Sequence, residues 1–287
     1  MPRGTTPRQP ARSGRQEGTH KARQGKDTTA LLRTARTGKS GRPHTDRAAV
    51  QPLPEKKSRA KKAYSPIAPE RVEEILNRLD ALYPGVTCAL QHKSAWELLV
   101  ATILSAQSTD VRVNMVTPEL FRKYPTVQDF AALTPEQLQP DVRSTGFFRN
   151  KSKSVVGAAK KIVSEFGGQV PDQMEQILTL PGVARKTANV VLGTWFRKNE
   201  GVVVDTHVHR ISRRLELTRN EDPKTIEQDL MKIVPRPRWT LFSHQIIWHG
   251  RKLCIARRPK CADCPLENIC HAADKTWSTV EMHKNAK

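Results

Sequence analysis

One stretch decides the fold: residues 178–217 read LTLPGVARKTANVVLGTWFRKNEGVVVDTHVHRISRRLEL. Pro181 and Gly182 interrupt an apolar helical pattern, and such a pair is strong turn punctuation. A second helix is predicted from about Arg185, with the apolar spacing Ala188, Val191, Leu192 and Trp195. The pattern therefore predicts a helix, a tight hairpin and a helix over residues 174–193. A hairpin of this kind presents backbone N–H groups and a helix N-terminus to one point, which favours anion binding.

Two residues of this stretch are candidates for chemistry. Lys186 falls in the first turn of the second helix, where the positive end of the helix dipole disfavours a protonated amine. A free amine is the form that a Schiff-base nucleophile requires. Asp205 follows nineteen positions later, after an apolar run and before another helix. The ordinary alternative is that Lys186 is a solvated surface side chain, which is common for lysine.

The rest of the chain predicts an all-α fold. From Pro69 onward, apolar residues recur at helical spacing, and no segment shows the alternation expected of a strand. Helix-start signals with capping side chains or proline are found repeatedly. We assign them to Ser94 with Glu97, Asp110, Thr134 with Pro135, Asn150, and Asp222 with Pro223.

Composition favours a polyanionic partner. The 287 residues carry a net charge of +21, and residues 1–63 alone hold 17 of the 49 Lys and Arg against 4 of the 28 Asp and Glu. Nucleic acid is the usual partner of such a chain. Residues 1–63 lack periodicity and are predicted to be a disordered basic tail, which either binds DNA non-specifically or has no role. No apolar run reaches the roughly 18 residues of a membrane span.

Four of the five cysteines cluster within seventeen residues, at Cys254, Cys261, Cys264 and Cys270. Thiolates this close together need a metal to offset their repulsion, so the cluster indicates a metal centre in a reducing compartment. The spacing alone leaves zinc and a [4Fe–4S] cluster as alternatives. Between the first two ligands, Arg257, Arg258 and Lys260 lie on a loop pinned at both ends, which suits phosphate contacts or is a solvated basic loop. Cys88 stands apart and is interpreted as a small buried hydrophobe.

The motifs LPGV-x-x-KTA and VDTHVHR, followed by the four cysteines, resemble the helix-hairpin-helix DNA glycosylase superfamily and specifically its endonuclease III branch. The resemblance covers residues 66–274. It implies that Lys186 attacks the sugar C1′ atom, that Asp205 activates this amine, and that the cysteines bind a [4Fe–4S] cluster. One position departs from the pattern, because the family's hairpin reads Gly-Val-Gly and Ala184 stands at the second glycine. Ala184 would be strained if the backbone there required a positive φ.

The resemblance also assigns residues that contact DNA. Gln107 would fill the space left by an extruded base, and Phe147 would act as a wedge where relatives often carry leucine. The ordinary alternatives are a polar residue at a helix end and a core phenylalanine. The hairpin amides around Gly182 and Ala184, with Arg185 beside them, would hold a phosphate near the lesion.

The function implied is base excision repair by a DNA glycosylase with abasic-site (AP) lyase activity. The implied substrate is double-stranded DNA that contains an oxidised or ring-saturated pyrimidine, such as thymine glycol, or an abasic site. We expect a monomer without membrane association, located in the bacterial cytoplasm at the nucleoid, although the Arg-rich, acid-poor N-terminus is also compatible with organelle targeting. The competitors are the adenine glycosylase branch, which lacks the imine-forming lysine and carries a further domain, and a non-catalytic metal-stabilised DNA-binding module. Lys186 and the seventeen residues that follow Cys270 oppose the adenine branch.

The predicted domain organisation has four parts. The basic tail at 1–63 precedes a helical bundle domain at 86–197. An iron–sulfur domain combines residues 66–85 with 198–274, and a flexible tail occupies 275–287.

Overall fold

The computed structural model describes residues 64–276, which contain eleven α-helices and no β-strand. The all-α prediction is therefore confirmed for these residues. The predicted tail at 1–63 and residues 277–287 of the predicted C-terminal tail lie outside the described residues. In chain order the helices are α1 (Pro69–Leu82), α2 (Ala95–Leu104), α3 (Asp110–Lys123), α4 (Val127–Ala132), α5 (Pro135–Val142), α6 (Phe148–Glu165), α7 (Met174–Ile177), α8 (Arg185–Thr194), α9 (Thr206–Arg214), α10 (Pro223–Ile233) and α11 (Trp239–Lys252).

Side-chain caps set most of the helix starts. Ser94 accepts a hydrogen bond from the Glu97 N–H, and Thr134 and Asp222 cap α5 and α10 as their sequence signals predicted. The assignment of Asp110 as a cap is wrong, because Thr109 caps α3 instead and accepts from the Arg112 N–H. Thr109 and Asp110 could each cap this helix. The Asp110 carboxylate instead forms an ion pair with Arg251, which lies in a distant part of the chain.

Two further boundaries differ from the sequence prediction. Helix α6 begins at Phe148 rather than at Asn150, because the chain turns sharply at Gly146 and Phe147, which both have positive φ. Trp195 lies just past the end of α8 and is 40% exposed, so it does not continue the buried stripe of that helix.

The described helices enclose two apolar cores. The first core, which we call the hairpin lobe, is built from residues between Leu90 and Leu192 and includes the fully buried Phe130. The second core, the cysteine lobe, joins α1 to residues 202–270, and Ile75 and Phe242 are buried at its centre. Burying one such side chain stabilises the fold by about 1.5–3 kcal/mol, which explains why α1 packs on helices more than a hundred residues away. The predicted domain bounds stay a prediction.

None of the described helices combines the length and the apolar character that crossing a membrane requires.

Candidate functional site

The hairpin between α7 and α8 is pressed against α6. Gly182 has φ +77°, and a Cβ atom added there would lie only 2.5 Å from the Cβ of Ser154. Glycine is therefore required at Gly182 for two reasons, the left-handed backbone and the lack of space. Ala184 has φ −97° and ψ 169°, which is extended backbone. The departure from the Gly-Val-Gly pattern consequently carries no backbone strain.

The N-terminus of α8 is open. Ala184 occupies the N-cap position and provides no side-chain hydrogen bond. Among the described residues, no acceptor is found for the backbone N–H groups of Gly182 or of residues 184–187. Unpaired N–H groups at the positive end of a helix dipole bind phosphate oxygens well. The geometry thus suits the predicted phosphate contact.

Lys186 lies in the first turn of α8 and is exposed. Its ammonium group makes no hydrogen bond or ion pair with another described residue. The neighbouring Arg185 differs, because its Nε atom donates to both carboxylate oxygens of Glu227 at 3.0 Å. Glu227 also accepts from the Asn189 amide at 2.8 Å, so Arg185 helps to fasten α8 to α10. A role for Arg185 in DNA binding stays a prediction.

Asp205 is held in place as the N-cap of α9. Its Oδ1 atom accepts hydrogen bonds from the N–H groups of His207 and Val208, both at 2.8 Å. No described residue donates to Oδ2, so this oxygen is available to a substrate or to an amine. The segment before Asp205 is fixed as well, since the Val203 N–H donates to the Ser243 hydroxyl at 3.0 Å. Burial lowers the pKa of the adjacent His207 imidazole, which favours its neutral form.

Lys186 and Asp205 line one cavity of about 100 Å³ between the hairpin lobe and the cysteine lobe. Cys88, predicted to be a small buried hydrophobe, is half-buried and forms part of the same wall. An ion pair crosses the cavity from one lobe to the other, with 2.5 Å between Arg251 Nη2 and Asp110 Oδ2. The cavity therefore combines a lysine side chain that pairs with no described residue, a carboxylate and a charged pair next to the hairpin.

Gln107 and Phe147 share an unusual conformation. Gln107 has φ +53° and Phe147 has φ +47°, and both side chains are exposed. Phe147 is 63% exposed, whereas its neighbour Phe148 packs against the core of the hairpin lobe. Large side chains in the left-handed region are uncommon and cluster at functional sites. Their exposure is consistent with entry into DNA, and their roles stay predictions.

The four clustered cysteines line a single cavity together with the apolar side chains of Ile211, Leu215, Leu253 and Leu266. Burial raises the pKa of the Cys264 thiol to about 11, and it also raises the pKa of the Cys270 thiol. Arg214 donates a hydrogen bond to the Cys254 sulfur at 3.3 Å. Four sulfur donors around one largely apolar cavity fit a cluster with four thiolate ligands, because the metal offsets the cost of ionising buried thiols. Within residues 64–276, no group of three or more His, Cys, Asp or Glu side chains is arranged for a single metal ion.

The loop between Cys254 and Cys261 presents its cations to solvent. Arg257, Arg258 and Lys260 are all exposed, and Arg258 has φ +54°. Exposed cations on a loop fixed at both ends are suited to phosphate oxygens. Their contact with DNA stays a prediction.

Sequence reasoning missed two charged residues near the site. Lys151 is 5% exposed and sits behind the loops that carry Gln107 and Phe147. Arg251 reaches Asp110 across the cavity, from a position 141 residues away. No local signal distinguishes either cation from the other 47 Lys and Arg residues, because its importance lies in its tertiary contacts.

A family model and known relatives match this chain. Residues 100–236 match a family model described as HhH-GPD superfamily base excision DNA repair protein. The chain is 55% identical to Endonuclease III of Synechocystis sp. over 204 residues, which cover 71% of this chain and 93% of that protein. It is 41% identical to Endonuclease III of Bacillus subtilis over 207 residues, which cover 72% of this chain and 94% of the relative.

Solved structures give the same result. A trapped covalent intermediate of an Endonuclease III with DNA superposes with a TM-score of 0.68 at 37% identity, covering 77% of this chain and 99% of that one. A non-covalent Endonuclease III–DNA complex superposes with a TM-score of 0.68 at 39% identity, covering 71% and 95%.

Proposed function

Since the chain belongs to the endonuclease III family, within the HhH-GPD superfamily of base excision DNA repair proteins, we propose that it removes oxidised or ring-saturated pyrimidines from duplex DNA and then cleaves the strand. DNA is its partner, and the activities are those of a DNA glycosylase and an AP lyase. The observation that carries the proposal is the position of Lys186, whose side chain pairs with no described residue and lines one cavity with Asp205 beside the open N-terminus of α8.

The first chemical step is displacement of the damaged base. The base must leave the helical stack, because its glycosidic bond is inaccessible inside a duplex. The Lys186 amine attacks C1′, a C–N bond forms to the lysine, and the bond from C1′ to the base breaks. Asp205 accepts the proton that the amine loses, and its charge stabilises the positive charge that develops on the sugar. The proton then passes to the departing base.

The second step breaks the strand. Opening of the sugar ring gives an imine between C1′ and Lys186, which makes the 2′ hydrogen acidic. Removal of that proton forms a C2′=C3′ double bond conjugated with the C1′ imine and breaks the C3′–O bond, so the 3′ phosphate leaves with the electron pair of that bond. A carboxylate or hydroxyl nucleophile cannot form this imine, and the lyase activity therefore depends on a lysine.

The four cysteines would hold a [4Fe–4S] cluster whose part is structural. They join the C-terminal end of α11 to the loops that follow it, and Cys254, Cys264 and Cys270 pack against the core of the cysteine lobe. Such a cluster would fix the exposed loop of Arg257, Arg258 and Lys260 at both ends. We further propose that the enzyme works at the nucleoid in the cytoplasm, where its substrate lies.

Borohydride trapping tests the mechanism on duplex DNA that carries one thymine glycol. The wild-type protein should give a covalent protein–DNA adduct, and Lys186→Ala should give none because no imine forms. Lys160→Ala is the matched control, since Lys160 is an exposed lysine on α6 and should trap like the wild type. Asp205→Asn should fold, because asparagine is an equally good N-cap, but it should trap at least about a hundredfold more slowly.

The outcomes separate the competing functions. An adduct from the Lys186→Ala variant would mean that another nucleophile acts. DNA binding by the wild type without any adduct, on thymine glycol and on an abasic site alike, would contradict the imine mechanism. An adduct on the abasic site alone would retain the lyase and contradict the proposed class of damaged base.

A further inference from the structure

The ammonium group of Lys151 is buried, and no acidic side chain in the described part of the chain pairs with it. The residue is 5% exposed, and its Nζ atom donates to two backbone carbonyls: Leu104 O at 2.8 Å and Thr145 O at 2.6 Å. Burial also lowers the pKa of this lysine. A buried cation is costly unless it is well hydrogen-bonded, so these two contacts need an explanation beyond filling space.

The two acceptors are the last residues of two helical segments. Leu104 ends α2, and Thr145 ends a 3₁₀ helix at Arg143–Thr145. Carbonyls at helix C-termini lack intrahelical partners and carry the negative end of the helix dipole. The Lys151 ammonium group therefore donates to the terminal carbonyls of two helical segments. Its own position near the N-terminus of α6 is unfavourable for a cation.

Both helix ends lead directly into the exposed left-handed residues. Gln107 comes three positions after Leu104, and Phe147 comes two positions after Thr145. The backbone of Lys151 holds the second loop as well, because its N–H donates to the Phe147 carbonyl at 3.1 Å. One residue thus connects the two loops that present Gln107 and Phe147 to solvent.

We propose that Lys151 is a positioning residue, which fixes the distance and orientation between Gln107 and Phe147 so that both can enter the duplex together when a base is extruded. The inference rests on the proposed function, because it concerns the step before Lys186 attacks. If Lys151 did not join the two loops, they would have to become ordered as the protein binds DNA. The conformational entropy lost in that step would slow extrusion of the base. Lys151 itself does not contact the DNA.

The test compares two substrates that differ in their need for extrusion. Lys151→Met keeps the length of the side chain but leaves the Leu104 and Thr145 carbonyls without a donor. Base removal from duplex DNA carrying thymine glycol should slow by about tenfold or more, because small misplacements of positioning groups cost rates of this order. Strand cleavage at an abasic site in single-stranded DNA should stay within about twofold, since no opposite strand has to be unstacked.

Lys160→Met is the matched control. It makes the same substitution at an exposed position of α6, about 13 Å further along the helix axis, and should leave both rates unchanged. All rates are normalised to the fraction of protein that borohydride traps on single-stranded abasic DNA, so partial misfolding does not alter the comparison. If Lys151→Met does not fold, Lys151→Gln retains N–H donors on a shorter side chain and should show the same selective defect, smaller in size.

A double-mutant cycle tests whether Lys151 acts through the wedge. In a Phe147→Ala background, Lys151→Met should slow duplex base removal by less than about threefold, because residues that act as a unit are not additive. Equal losses of rate on both substrates, or a full tenfold loss of rate in the Phe147→Ala background, would show that Lys151 is needed only for stability. A wild-type protein that is inactive on both substrates would contradict the proposed function instead.

Discussion

Replacing Gly182 by alanine should destabilise the hairpin through two separable effects. The left-handed backbone at φ +77° costs an alanine about 1 kcal/mol. The new methyl group would also lie 2.5 Å from Ser154 Cβ and 2.6 Å from Ser154 Oγ, where ordinary carbon contacts need about 3.5–4.0 Å. Relief of such a clash requires a shift of the hairpin away from α6, which typically costs about 1–3 kcal/mol. We therefore expect a total loss of about 2–4 kcal/mol for Gly182→Ala.

The chain offers a matched control at Gly167. Its φ is +59°, so the backbone effect is similar, but a Cβ atom added there meets nothing within 4 Å. Gly167→Ala should lose only about 1 kcal/mol. Urea unfolding of the two variants and the wild type, followed by circular dichroism, measures both losses on the same preparation. An unchanged slope of the free energy of unfolding against urea concentration would show that the variants differ in stability rather than in compactness.

A second substitution isolates the clash. Ser154→Gly removes the atoms that the new methyl group would hit, at the cost of about 1 kcal/mol for a glycine inside α6. In this background the further loss from Gly182→Ala should fall to the backbone part alone, so the two substitutions should be non-additive by about 1–3 kcal/mol. Equal losses for Gly182→Ala and Gly167→Ala, or strict additivity with Ser154→Gly, would refute the close packing of hairpin and helix.

Two further predictions concern titration and the cysteines. Burial, and then the charges of Arg197 and Arg251, lower the pKa of His244 to about 4. The unfolded state, with a pKa near 6.5, binds its proton first as pH falls, so His244 stabilises the fold above about pH 6.5 and this contribution of about 3 kcal/mol is lost progressively towards about pH 4. Between these limits, unfolding of the wild type should take up about one more proton than unfolding of His244→Gln. The same slope of the free energy of unfolding against pH in wild type and variant would contradict this prediction. Cys264→Ser should lose the visible iron–sulfur absorbance and DNA affinity, while a colourless wild-type protein that contains zinc by elemental analysis would overturn the cluster assignment.

Local sequence signals predicted the helices well, because caps and apolar stripes act within a few residues. Thr134 and Asp222 cap their helices as expected, whereas the predicted start of α6 at Asn150 was two residues late and the choice between Thr109 and Asp110 was wrong. That choice was not local: the Asp110 carboxylate pairs with Arg251, which is separated from it by 141 residues. Where two adjacent residues can both cap a helix, a distant partner decides which one does.

The site was predictable to the extent that its residues lie in short motifs. Lys186 and Asp205 stand out because a turn, a helix start and a second helix start follow one another within one stretch of the chain. Lys151 has no such context, and its helical position even argues against a charge. Its two acceptors precede it by 47 and 6 residues, and only the packing of α2 against α6 brings the first of them close.

Backbone strain links the predicted DNA contacts to one another. Five non-glycine residues in the described part of the chain have positive φ, and three of them, Gln107, Phe147 and Arg258, were predicted from the sequence to contact DNA. Each such residue costs the fold of order 1 kcal/mol, which persists only if the surrounding structure enforces it. For Gln107 and Phe147 that enforcement includes the Lys151 ammonium, and for Arg258 it includes the pinned loop between two cysteines. The fold therefore sets the backbone at these three exposed positions, and the cost of its strain is met in folding.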